Sequence, residues 1–396
     1  MKINTDEKLI EEFLSRNAVE IVVKDSLREK LRSGRQLRIK FGVDVTNPML
    51  HLGHAVNLWK MRELQELGHK VVFLIGDFTS LIGDPTGKSK ARPKRTSEQI
   101  DKDAKEYRRQ VLKVLLSDSK VFEERRNSEW YKKMRVNEFL DLMAMLTHGR
   151  LIQRDMFQKR IKDGEEIYMN EMLYPMLQGY DSVMLESDLT VIGNDQLFNE
   201  LMGRFYQERF GQKPQDIMTT IITPGIDGGE KMSKSIGNFV AITDEPEEKF
   251  GKLMSIADNL IVQYLQVYTK LPFAEIGTIE DGIKAGQNPR DAKMRLAFEV
   301  VKMYHGEKVA TEAQENFINK FQKKETPDEM PEFDLAGRNI VEALSESKLT
   351  SSNGEARRLI EQKGVKINDT VVESTETVVK SGDIIKKGKR FFIRIK

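Results

Sequence analysis

The chain has 396 residues, enough for two or three domains with cores of their own. It has no cysteine, which excludes disulfides and thiolate metal sites; it has no run of about 18 apolar residues to span a membrane and no apolar signal core at its start, so it is expected to be cytoplasmic. The net charge of +2 is unevenly spread: residues 348 to 396 hold twelve Lys/Arg against six Asp/Glu, a basic tail that is either solvated surface or the footprint of a polyanionic partner.

In chain order, Glu7 to Leu31 reads as helical. Leu37 to Val43 alternates like a strand, and Val45-Thr46-Asn47-Pro48 breaks it. Leu52, Val56, Trp59 and Leu67 fall at near-helical spacing, and Gly68 stops that helix. Val71 to Ile75 is a continuous apolar run, as expected of a strand buried on both faces. Strand, helix, strand in this order predicts an α/β fold with a Rossmann-like, doubly wound parallel sheet. Asn127 to Tyr180 is mainly helical, Asp188 to Ile192 is another short strand, and Glu247 to Phe321 is helical again. Gln322 to Asp334 carries Pro327 and Pro331 among charges and reads as a linker to a small α+β unit.

Two segments suit a triphosphate. His51-Leu52-Gly53-His54 places two imidazoles on one face of a helix start, where exposed N–H groups favour phosphate and Gly53 lets a ligand approach the backbone. A zinc pair would leave two ligands unsupplied. Lys231-Met232-Ser233-Lys234-Ser235 lies in a Gly-rich loop whose lysines can close on phosphate charge. Gly83 to Ser89 resembles a P-loop, but only three residues separate its glycines where four are required, so that reading fails. Tyr174, Gln178 and Asp181 stand at i, i+4 and i+7; a hydroxyl, an amide and a carboxylate on one helix face indicate a ligand surface.

On these segments the chain resembles the class I aminoacyl-tRNA synthetases, and within them the bacterial tyrosyl-tRNA synthetases with a full KMSKS signature and a C-terminal S4 domain. His51–His54 matches the HIGH signature and Lys231–Ser235 the KMSKS signature. Leu81–Pro85, Tyr174–Asp181, Asp195-Gln196 and Asn288–Lys293 resemble further segments of the tyrosyl enzymes. The resemblance implies a tyrosine–tRNA ligase using ATP with magnesium, working as a homodimer on tRNA(Tyr). It also implies residue roles. Asp84, Tyr174 and Gln178 would hold the α-ammonium of tyrosine, Asp181 would accept from its hydroxyl, and Gln196 would lie close to its carboxylate. Asp195 would hold the ATP ribose. Thr46, His51 and His54 would contact phosphates, while Lys88, Arg92, Lys231 and Lys234 would stabilise the leaving pyrophosphate.

The implied domains are a catalytic domain at 1–220 with a helical dimer-interface insertion near 125–165, the signature loop at 221–246, and an anticodon-binding helical domain at 247–321. A linker at 322–336 and an S4-like RNA-binding domain at 337–396 would follow. In that last domain, Ser352 to Glu355 is a capping box, and Arg357, Arg358, Lys386, Lys387, Lys389 and Arg390 would meet RNA. Phe391 and Phe392 are expected in the core. Two positions depart from the family pattern: Lys40 stands where many relatives have a substrate-contacting tyrosine, and Ile192 replaces a glycine.

Overall fold

A computed structural model describes residues 2–45, 49–83, 96–323, 330–368, 370–388 and 391–396. Thr46, Asp84, Lys88, Arg92, Lys389 and Arg390 lie outside them. The chain divides into two compact units, Met1–Ala313 and Gln314–Lys396.

The first unit is built on a six-stranded sheet of β1 (Ala18–Val22), β2 (Arg38–Val43), β3 (Lys70–Ile75), β4 (Phe122–Arg126), β5 (Leu189–Gly193) and β6 (Asp216–Thr220). The strand order is β1-β6-β5-β2-β3-β4, with β1 antiparallel to β6 and the other pairs parallel. The helices around the first three strands are α1 (Glu7–Ser15), α2 (Lys24–Arg32), α3 (Leu52–Glu66) and α4 (Ser97–Val111). Then come α5 (Ser128–Tyr131), α6 (Val136–Ala144), α7 (His148–Ile152), α8 (Asp155–Lys162), α9 (Met169–Met184) and α10 (Leu197–Arg209). After the sheet come α11 (Pro246–Met254), α12 (Ile261–Tyr268), α13 (Phe273–Lys284), α14 (Pro289–His305) and α15 (Glu307–Lys323).

Both faces of the sheet are covered, which a parallel sheet requires. On β3, Val71, Phe73 and Ile75 enter a core with α1, α3 and α4, while Val72 and Leu74 enter another with α6, α9 and α10. The chain winds outward from β2 through β3 to β4, and in the opposite direction from β5 to β6. The neighbours β2 and β5 thus form the switch point, where the crevice beyond the strand ends takes a ligand.

The segment Glu7 to Leu31 is not one helix. Asn17 takes a positive φ of 59°, and the β-branched run Val19, Ile21, Val22 follows it as β1. Pairing with the edge of β6 outweighs local helix propensity there.

The second unit is a five-stranded sheet in the order β7-β11-β10-β8-β9, with β7 (Glu332–Phe333), β8 (Val365–Ile367), β9 (Thr370–Val371), β10 (Ile384–Lys387) and β11 (Phe391–Ile395). Helices α16 (Ile340–Glu346) and α17 (Asn353–Glu361) cover it, and Ile340, Leu344, Ala356, Ile360, Val365, Ile385 and Ile393 form its core. Part of the stretch read as a linker is regular: α15 reaches Lys323, and β7 joins the sheet, where Lys396 pairs with Glu332 at 2.8 Å. The two phenylalanines separate, Phe392 being buried and Phe391 60% exposed, because neighbours on a strand face opposite ways.

Candidate active site

His51 is the N-cap of α3 and His54 sits in its first turn, so their rings meet, tilted by 42° with centroids 3.8 Å apart. The His51 backbone N–H donates to His54 Nδ1 at 3.3 Å. A side chain at Gly53 would come within 3.1 Å of the His51 ring and 3.9 Å of Met232. The second signature therefore packs against the first. Two backbone links hold it there: Leu52 N–H donates to the Val240 carbonyl at 3.0 Å, and His51 bridges to Ala241.

The signature loop is tied at its base by one amide. Asn238 accepts from the Ser233 N–H at 2.9 Å and donates to Asp227 at 3.1 Å. Met232 is buried beneath the loop, whereas Lys231 is exposed and Lys234 half-buried.

Burial, with Lys234 and Lys231 close by, pushes His54 down to about 4. Burial, then His54 and Lys234, takes His51 down to about 3. Both imidazoles are therefore neutral at pH 7 and act as hydrogen-bonding groups, not as cations. Positive charge comes from the lysines, of which Lys234 is lowered by burial to about 8.

A cavity of about 300 Å³ opens at the β2/β5 switch point. Its lining brings His54 of α3 together with Tyr174, Gln178 and Asp181 of α9, Gln196, and Lys40 and Glu200. The i, i+4, i+7 face thus meets the histidine end in one space. Asp195 is exposed, and its carboxylate would meet a side chain added at Gly193 at 2.7 Å; glycine at that point gives Asp195 its room. Ile192 lines the cavity.

Asp181 is a buried acid of the cavity wall. Burial raises it to about 7, opposed by Lys40, by the nearby Tyr131 and by hydrogen bonds from Asn127 and Trp130. Trp130 Nε1 donates to Oδ1 at 3.0 Å and Asn127 Nδ2 to Oδ2 at 3.3 Å, so the carboxylate is held from behind. Sequence reasoning missed Asn127, Trp130, Asn199 and Glu200. The signal for Glu200 was an acid among the apolar residues Phe198, Leu201, Met202 and Phe205 of α10.

In the second unit Arg357 and Arg358 are exposed. Lys386 stands directly opposite Lys366 across β10 and β8, and like charges so placed repel unless an anion lies over them. Lys387 differs: its ammonium pairs with Glu355 at 3.1 Å and with the Leu349 carbonyl, tying β10 to α17. Ser352 caps α17, while Glu355 reaches Ser351 at 2.6–2.7 Å instead of closing the expected box.

These features are those of a nucleotide-activating α/β enzyme with an appended basic module. The model of the class I tRNA synthetases (W and Y) matches residues 32–322, and that of the tyrosine–tRNA ligase SYY-like C-terminal domain matches residues 322–395. The chain is 46% identical over 387 residues to a tyrosine–tRNA ligase of Thermotoga maritima, covering 97% of this chain and 96% of that one. It is 45% identical to one of Geobacter sulfurreducens, covering 97% of each. Among solved structures, the fold is similar to a C-terminally truncated mitochondrial tyrosyl-tRNA synthetase of Aspergillus nidulans, with a TM-score of 0.67 and 24% identity over 79% of this chain and 94% of that one. The chain belongs to the class I tRNA synthetases of the tryptophan and tyrosine type, and within them to the tyrosine–tRNA ligases. No helix among the described residues is long and apolar enough to cross a membrane.

Proposed function

We propose that the chain activates L-tyrosine with ATP, giving tyrosyl-AMP and pyrophosphate, and then transfers the tyrosyl group to the 3′-terminal ribose of tRNA(Tyr). The observation that carries this reading is the single cavity with the polar face of α9 on one side and His54 on the other. A tyrosine carboxylate oxygen attacks the α-phosphorus as the bond to the β-phosphate oxygen breaks. The nucleophile is already ionised, so the site supplies positioning and charge and no general base.

His51 and His54 contact ATP with neutral imidazoles, beside Gly53. Thr46 contacts the ATP phosphates with them, and Lys231, Lys234, Lys88 and Arg92 stabilise the leaving pyrophosphate. Asp195 holds the ribose. Tyr174, Gln178 and Asp84 take the α-ammonium, Gln196 the carboxylate, and Asp181 the phenolic hydroxyl. Magnesium would accompany the ATP; among the described residues the phosphate end offers imidazoles and ammonium groups, so phosphate oxygens and water would hold it.

The helical stretch 247–321 serves the anticodon arm, and the basic unit 337–396, with Arg357, Arg358, Lys386, Lys389 and Arg390, serves RNA backbone recognition. Lys387 joins them, although its ion pair with Glu355 gives it a structural part as well. The enzyme works in the cytoplasm as a homodimer through 125–165. Deleting residues 337–396 should abolish charging of tRNA(Tyr) yet leave tyrosine-dependent pyrophosphate exchange within about threefold of wild type, because the tail has a core of its own. Loss of both activities in a folded truncated protein would overturn this division of labour.

A further inference from the structure

Behind the cavity lies a buried ion pair. Lys40 Nζ is 2.7 Å from Glu200 Oε2, and the two side chains are 1% and 3% exposed. The Lys40 ammonium also donates to Ser182 Oγ at 2.7 Å and to the Gln178 carbonyl at 3.3 Å. An ammonium has three N–H donors, and these three acceptors use them all. Lys40 thus has none left for a substrate hydroxyl, although it stands where many relatives carry a tyrosine that reaches one.

The partner of the pair acts on the substrate face. Glu200 Oε1 accepts from Gln178 Nε2 at 2.7 Å, and Oε2 also accepts from Gln215 Nε2 at 2.8 Å. A carboxylate can only accept, so Gln178 must turn its Nε2 toward Glu200. The opposite end of that amide, Oε1, accepts from Asn199 Nδ2 at 3.1 Å and keeps a second lone pair. Asn199 Nδ2 also donates to Gln196 Oε1 at 3.1 Å.

We propose that Lys40 and Glu200 are positioning residues that fix the Gln178 amide with its oxygen toward the cavity, so that it accepts from the α-ammonium of the amino acid. The inference rests on the tyrosine reading above. Reversal of the amide would present N–H donors to a cation. Lys40 enters because its ammonium pairs with Glu200 Oε2 and holds the carboxylate in place with Oε1 on the Gln178 amide; without Lys40 the buried charge would lose its partner.

Calorimetric titration with two probes tests this: L-tyrosine, and 3-(4-hydroxyphenyl)propionate, which lacks the ammonium. In Glu200→Gln one carbonyl oxygen must replace two carboxylate oxygens, and the Gln178 amide loses its anchor. Tyrosine affinity should fall about 10- to 100-fold, the range of a lost charge-assisted hydrogen bond, while propionate affinity stays within about twofold. Lys40→Met/Glu200→Leu removes both charges together and avoids leaving one buried alone. It should show the same selective loss, with unchanged far-ultraviolet circular dichroism. Equal weakening of both probes, or no change in either, would overturn the inference while tyrosine binding by the wild type leaves the functional reading standing. A wild-type protein that fails to bind tyrosine would overturn both.

Discussion

Lys234→Ala lowers the rate of tyrosyl-adenylate formation by about 10²–10³, the usual effect of deleting one preorganised donor to a transition state, while tyrosine affinity changes by less than about twofold. The split follows from the geometry. Lys234 belongs to the loop beside the histidines, whereas the cavity lining that would receive the amino acid comes from α9 and β2. A pH profile sharpens the test. With Lys234 lowered to about 8, its ammonium is present below that value and is lost as pH rises through it. Wild-type kcat/KM for ATP, which reports the free enzyme, should therefore decline above pH 8. Lys234→Arg should remove the decline, because a guanidinium stays charged. Rapid-quench kinetics across pH 6–9.5 measures both effects; a Lys234→Ala enzyme within threefold of wild type would remove the lysine from the chemistry.

Asp181→Asn is expected to cut kcat/KM for tyrosine by about 10² when measured at about pH 8 or above, where a carboxyl raised to about 7 is mostly ionised; a hydrogen bond to a buried charged acceptor is worth about 1.5–3 kcal/mol. Activity with phenylalanine should stay within a few-fold, so the ratio between the two amino acids collapses. The buried carboxylate can accept from a hydroxyl, while phenylalanine leaves it dry and unpaired on that side. Trp130 and Asn127 already hold its oxygens, so the substituted amide must give up one of those contacts as well. Steady-state pyrophosphate exchange with both amino acids reads the ratio. A fall shared equally by both would mean that Asp181 supports the pocket without reading the hydroxyl.

The sequence carried the parts of the site that depend on local spacing. The i, i+3 histidines, the i, i+4, i+7 face of α9 and the apolar run of β3 are periodic features, and the structure has them on the elements expected. Contacts made between distant segments were not legible. Lys40 and Glu200 are 160 positions apart and meet only in the folded unit, where β2 lies beside β5 at the switch point. Lys40 alone looked like a departure from pattern; its meaning needed the acid. The break at Asn17 escaped for a related reason, since β1 exists only because the edge of β6 is there to pair with it. Glu355 and Lys387 show the same limit in the tail, where a lysine expected to meet RNA also pairs with a helix 32 positions away in sequence.

The central claim is tested most directly by pyrophosphate exchange into ATP with the wild-type protein and tyrosine, phenylalanine or tryptophan supplied singly. Exchange driven by tyrosine, with the other two at least about 10²-fold weaker in kcat/KM, is the predicted result. Exchange driven by tryptophan, or none with any of the three, would contradict the account.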